Sequence, residues 1–274
     1  MELSHIIILL TTGTGIGLLS GLLGIGGGFI MTPVQYMVYL AMGVPASTAI
    51  KLAFGTSLLV IIPTAVSGVW RHSKKGTVWW KAAFILGGSG LLASFGGANL
   101  ATHLSVTALK TIFGATCLVA GTRMLTARLP RVEQEPNDKP WLMVAWAIPI
   151  GILTGIIGVG GGIMMLPVLM LVLKLKMHQA VATSLAIMIF ISIGGVTGYV
   201  INGLGVPDLP VYSFGYVHLP TWFLLAITSI SMAQVVALTA HRLPAKQLRY
   251  MFIALMFYVG LKMLGVFEWL GLPL

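Results

Sequence analysis

Residues 17–34 read GLLSGLLGIGGGFIMTPV, and residues 151–168 read GILTGIIGVGGGIMMLPV. Ten of the eighteen aligned positions are identical, and most of the others exchange one apolar or hydroxyl residue for a similar one. The stretch is an internal duplication. Glycine loses more backbone freedom on ordering than any other residue, so three in a row inside an apolar run weaken a helix at each position. A GxGGG run that occurs twice therefore needs a structural reason. In a membrane the two available reasons are an interrupted helix and a very close backbone crossing.

The composition makes the membrane the relevant solvent. Of 274 residues, 57% are hydrophobic and 8% charged, and the mean hydropathy is +0.99. Too little polar surface exists to cover a water-soluble domain. The first residues, MELSHIIILL, carry an acidic and no basic residue ahead of the apolar run. That is the wrong flank for a cleaved signal peptide, so the first segment is expected to be retained. The net charge of +10 reads as loop charge that orients membrane segments rather than as a nucleic-acid surface. Cys117 is the only cysteine, which removes intrachain disulfides and cysteine-rich metal sites.

Ten hydrophobic segments follow, five per half: residues 5–23, 29–42, 47–70, 78–104 and 109–125, then 141–157, 163–175, 180–201, 222–243 and 248–270. The second segment of each half is short for a span that needs about 20 apolar residues, so the glycine breaks fit either a crossing or a re-entrant hairpin. The predicted organisation is a first repeat at 1–126, a linker rich in proline and mixed charge at 127–140, and a second repeat at 141–274. If all ten segments cross, one side collects thirteen of the sixteen Lys and Arg residues, including Arg71, Lys81, Arg123, Lys174 and Arg249. The positive-inside rule then puts both termini outside and the linker in the cytoplasm of a cell membrane. Because each half contains an odd number of crossings, the second copy is upside down. The expected fold is an all-α integral membrane protein of two inverted-topology repeats, a plan found in many secondary transporters.

A second match accompanies the first. Ala53-Phe54-Gly55-Thr56-Ser57-Leu58 aligns with Ala180-Val181-Ala182-Thr183-Ser184-Leu185, and Gly68 and Gly76 match Gly195 and Gly203 at the same offset. With Ser47 as an expected N-cap, Ser57 falls roughly 15 Å into its helix, near the middle of a hydrocarbon core about 30 Å thick. These paired motifs, with the two-half plan over the whole length, resemble the TauE/SafE family of membrane proteins. The resemblance implies a transporter of sulfite, sulfonates or related anions. Lys51 departs from the internal pattern, since His178 stands at the aligned position.

The residues support an anion site without the family name. A helix that starts after a glycine break presents unpaired backbone N–H groups and the positive end of its dipole, and two such ends could converge on one anion. The candidate binding residues are Gly26, Gly27, Gly28, Gly160, Gly161 and Gly162, with the hydroxyls of Thr56, Ser57, Thr183 and Ser184 as further donors. Pro33, Pro167 and the pairs Gly17/Gly21 and Gly151/Gly155 read as structural, the glycines as small-residue packing faces. Serines and threonines in membrane helices also commonly bond the carbonyl of the preceding turn. Lys51 is expected to reach the outer surface with its ammonium group. Trp79, Trp80 and Trp141 are expected in the interfacial belt.

All six acidic residues, Glu2, Glu133, Glu135, Asp138, Asp208 and Glu268, fall at termini, linker or loops. Cation transporters generally place a carboxylate mid-membrane, so the pattern argues for an anionic cargo. The expected partners are a small anion, the lipid bilayer and a coupling ion, H⁺ or Na⁺. No cofactor fingerprint and no metal-ligand set is present, and no histidine falls at the depth of Ser57 or Ser184 to make a hydrolytic pair, so an enzyme is not expected. Transport of a carboxylate, a passive anion channel and a membrane subunit of a complex stay open as alternatives.

Overall fold

The computed structural model describes residues 2–23, 27–74, 76–126, 136–239 and 245–269. The described chain is helical, without a named strand: α1 (Leu3–Leu23), α2 (Gly28–Ala41), α3 (Ala46–Ser73), α4 (Trp80–His103), α5 (Val106–Thr126), α6 (Pro140–Ile157), α7 (Gly162–Leu171), α8 (Met177–Gly203), α9 (Leu219–Thr239), α10 (Ala245–Met263) and the short α11 (Val266–Trp269). Each expected segment has its helix. Length and composition suit α3, α4, α6 and α8 to crossing a membrane, and α1, α7, α9 and α10 contain shorter apolar stretches.

The N-cap of α3 differs from the expectation. Pro45 takes that position with no side-chain cap hydrogen bond, and the helix begins at Ala46, ahead of Ser47. Proline with its fixed φ stiffens the entry and needs no hydroxyl to do so.

The helices of the two halves are interleaved. α4 packs on α6 and α8, while α9 packs on α1 and α3. Within each half α2 lies on α3 and α7 on α8, and the halves also meet at α3–α8 and α5–α10. Exchanging the halves maps α3–α8 and α5–α10 onto themselves and each of the other pairings onto another in the set. The glycine contacts give the helix directions: Gly195 lies against Leu58 and Gly68 against Leu185, so α3 and α8 run antiparallel. Gly13 abuts Leu225 and Gly17 the Ser229 backbone of α9, Gly151 abuts Gly90 and Gly155 the Ser94 backbone of α4, and Gly87 abuts Phe190 and Gly194 Leu91, so α1 runs with α9, α6 with α4, and α4 with α8. Gly17 and Gly155 thus sit at close backbone crossings. Gly151, against the carbonyl of Gly90 2.8 Å from where its Cβ would stand, sits at the same kind of crossing.

Directions and packing place the ends of α3, α4, α6 and α8 that carry Arg71, Lys81, Lys139 and Lys176 at one end of the bundle. There Lys81 Nζ lies 2.5 Å from Asp138 Oδ2, joining the starts of α4 and α6. Both side chains are about half exposed, so the pair adds little stability. At the same end Arg71 donates to Gln234, which in turn donates to Ser67, tying α3 to α9.

Candidate functional site between the two glycine breaks

α2 and α7 are the short helices, 14 and 10 residues, or about 21 and 15 Å at 1.5 Å per residue. Neither reaches across a hydrocarbon core of about 30 Å. Both start at a glycine in the left-handed region, Gly27 with φ 63° and Gly161 with φ 82°. A side chain at either position would be strained. Proline sits inside each helix, at Pro33 and Pro167.

The breaks meet in the interior. A Cβ at Gly28 would stand 2.9 Å from the Cα of Val159, in the break of the other half. That second break runs along α3: Gly158 lies against Phe54, and a Cβ at Gly160 would come 2.9 Å from Ile61 Cδ1. Ser57 occupies α3 between those two contacts. Gly28, Phe29, Gly162 and Ile163 are buried, and as first-turn residues their amides have no carbonyl within the helix to bond. The structure therefore brings Gly27, Gly28, Gly160, Gly161 and Gly162 together. Gly26 lies outside the described residues, and Gly21, inside α1, has no described contacts.

The hydroxyls predicted as donors are occupied within the protein. Thr56 Oγ1 accepts from the backbone N–H of His218, the residue before α9, at 3.0 Å. Thr183 Oγ1 accepts from the backbone N–H of Trp79, the residue before α4, also at 3.0 Å. Each threonine thus latches the entry of the fourth helix of the opposite half. Ser184 Oγ donates to the Val181 carbonyl at 2.9 Å, the local back-bond open to any helical serine.

Ser57 belongs to a larger cluster. Gln35 Nε2 donates to Ser57 Oγ at 3.0 Å, and the Thr32 and Ser57 hydroxyls share a hydrogen bond of 3.1 Å. Tyr39 Oη points to Gln35 Oε1 and Thr56 Oγ1, both at 3.4 Å. His218 Nδ1 pairs with Thr221 Oγ1 at 2.8 Å, and the imidazole stands edge-on to the Tyr39 ring. Thr32, Gln35, Tyr39, Thr56, Ser57 and Thr221 are 0% exposed and His218 2%. Buried polar groups cost free energy unless bonded, and this set bonds itself. Sequence reasoning passed over Gln35, Tyr39, His218 and Thr221. A glutamine inside the apolar second segment was the available signal.

Lys51 is partly exposed at the end of the bundle opposite the basic one, where its Nζ donates to Thr102 O at 2.6 Å, in the last turn of α4, with the Tyr216 ring 5.7 Å away. A cation there complements the negative end of the helix. Trp80 and Trp141 are exposed on the protein surface, as a belt requires.

A bundle of apolar helices, two of them short and started at glycine breaks, defines a class: a helical membrane protein. The profile of the family described as "Sulfite exporter TauE/SafE" matches residues 9–263, and the chain belongs to that family. It is 30% identical over 258 residues to a "Probable membrane transporter protein" of Methanocaldococcus jannaschii, covering 94% of each chain. A protein of the same description from Haemophilus influenzae is 28% identical over 260 residues, 95% of this chain and 98% of the other. The Bacillus subtilis "Probable membrane transporter protein YunE" is 30% identical over 216 residues, 72% and 79% of the two chains. No solved structure matches.

Proposed function

We propose that the protein is a secondary transporter of a small anion, a sulfur oxyanion or organosulfonate, working by alternating access between two inverted repeats with the anion held where the glycine breaks meet. One observation carries the proposal: two short helices start at left-handed glycines, and the first residue of α2, Gly28, abuts Val159 in the break that precedes α7. Buried first-turn amides and the positive ends of two helix dipoles favour negative charge. The exchange-symmetric pairing, with α3 parallel to α9 and with α1, α3 and α4 running opposite to α6, α8 and α9 respectively, supports the inverted plan. The basic end of the bundle supports a cytoplasmic linker and external termini. The description of the family as sulfite exporters supports the sulfur chemistry.

Flux into proteoliposomes containing only this protein tests the proposal, with labelled sulfite, thiosulfate, taurine and lactate, each with and without proton and sodium gradients. Saturable, gradient-sensitive transport of the sulfur compounds is expected. Movement of lactate alone would overturn the sulfur assignment, and absence of any saturable anion flux would overturn the transporter reading.

A further inference from the structure

Among the described residues two buried side-chain oxygens lack a hydrogen-bond partner, Ser192 Oγ and Ser213 Oγ. Ser213 lies in the loop before α9. Ser192 is in the middle of α8, at 0% exposure. A helical hydroxyl at such a place ordinarily bonds back to a carbonyl one turn earlier, as Thr64, Ser89 and Thr154 do here. Ser192 forgoes that bond. Its Oγ faces the second break, 3.2 Å from where a Cβ of Gly160 would stand. Two residues on, α7 begins with the buried amides of Gly162 and Ile163, which no intrahelical carbonyl satisfies. An unpartnered hydroxyl thus lies at the second break, two residues before the positive end of a ten-residue helix, where Ile61 and Ser192 pack so closely that only glycine fits.

We propose that Ser192 Oγ and the first-turn amides of α7 bind the anionic head of the transported substrate, and that this head is a monoanion of the sulfonate type. The assignment rests on the anion-transport proposal and sharpens it in two ways. First, the binding point is one-sided, because Ala65 stands in the first half at the position that matches Ser192, while the Ser57 hydroxyl is held by Thr32 and Gln35. Second, the side chains around the break, Ile61, Thr154, Ile191 and Ser192, are uncharged. Partial charges from amides and a hydroxyl suit a single negative charge better than the two of sulfate.

The test uses the full-length purified protein in detergent, with methanesulfonate as the monoanion probe, sulfate as the dianion and chloride as the ionic-strength control. Ligand-dependent rise in melting temperature reads binding. The wild-type protein is expected to be stabilised by methanesulfonate in preference to both other salts. Ser192→Ala should weaken the apparent affinity about ten- to hundredfold, the loss of one hydrogen bond to a charged acceptor. Its melting temperature without ligand should not fall, because the hydroxyl bonds nothing in the protein. Ser192→Cys, which keeps a weak donor, should lie between the two and serves as the reporter if the alanine variant is poorly folded. Equal methanesulfonate affinity in wild type and both variants would overturn the Ser192 assignment while leaving anion transport standing. Stronger stabilisation by sulfate would overturn the monoanion assignment, and a wild type indifferent to all three salts that also fails the flux assay would overturn both proposals.

Discussion

α2 and α7 begin at the same kind of glycine break and carry the same proline, yet they present different chemistry to the helix that follows. α2 offers Thr32, Gln35 and Tyr39 to Ser57 and Thr56 of α3. At the matching positions the second half has Leu166, Leu169 and Leu173, and Ser184 turns back on its own helix. What the halves share is scaffold: left-handed glycines, helix crossings and the threonine latches on the fourth helices. What they do not share is the buried polar equipment of these helices, with a self-bonded cluster centred on α2 and α3 and the unpaired hydroxyl of Ser192 on α8. Duplication supplied a frame, and discrimination between substrates is expected to reside in the parts that were not duplicated.

The comparison can be broken first at the shared crossings. Gly17→Ala and Gly155→Ala each drive a Cβ into backbone, of Ser229 and Ser94 respectively, which cannot move aside like a side-chain tip. Both should lower stability by about 3 kcal/mol, and by similar amounts, measured by thermal melting in detergent. A large effect in only one half would show that the crossings are not equivalent. Next in size is Leu169→Gln, which gives the second half the amide of the first without its partners. It should cost about 1–3 kcal/mol as a buried unsatisfied group.

The latches come next. Thr56→Val and Thr183→Val each leave one backbone N–H, of His218 or Trp79, without its acceptor. A matched loss of about 1 kcal/mol is expected, with faster hydrogen exchange at that one amide as the local readout. Smallest should be Gln35→Leu, which makes α2 resemble α7. Ser57 keeps Thr32 and Tyr39 keeps Thr56, so the stability change should stay below about 1 kcal/mol. A loss larger than that of Leu169→Gln would mean that the amide holds the break together.

The frame was legible because it repeats. The glycine runs marked both breaks, and the apolar segments located ten helices to within a few residues, since hydropathy and glycine act locally along the chain. The matched Leu58/Leu185 and Gly68/Gly195 turned out to be reciprocal contacts across α3 and α8. The polar cluster was hidden for the opposite reason. Gln35 and Ser57 are 22 residues apart, and Thr56 and His218 are separated by 162, so no local pattern announces them. Helices buried on several sides also lose the amphipathic stripe that would show which face meets which partner. That is why the exchange of α4 and α9 between halves could not be read in advance. Thr56 and Thr183 stand out in the sequence as a pair, and in the structure each holds a backbone N–H ahead of a fourth helix, whereas the unpaired hydroxyl at Ser192 has no counterpart in the first half to draw attention to it.

Counterflow tests the central claim most directly. Proteoliposomes preloaded with unlabelled taurine are diluted into a trace of labelled taurine, and internal label is followed with time. A carrier that exposes one site alternately to the two sides should accumulate label transiently above its external concentration before it decays. Monotonic equilibration without an overshoot would mark a passive pore and contradict alternating access between the two halves.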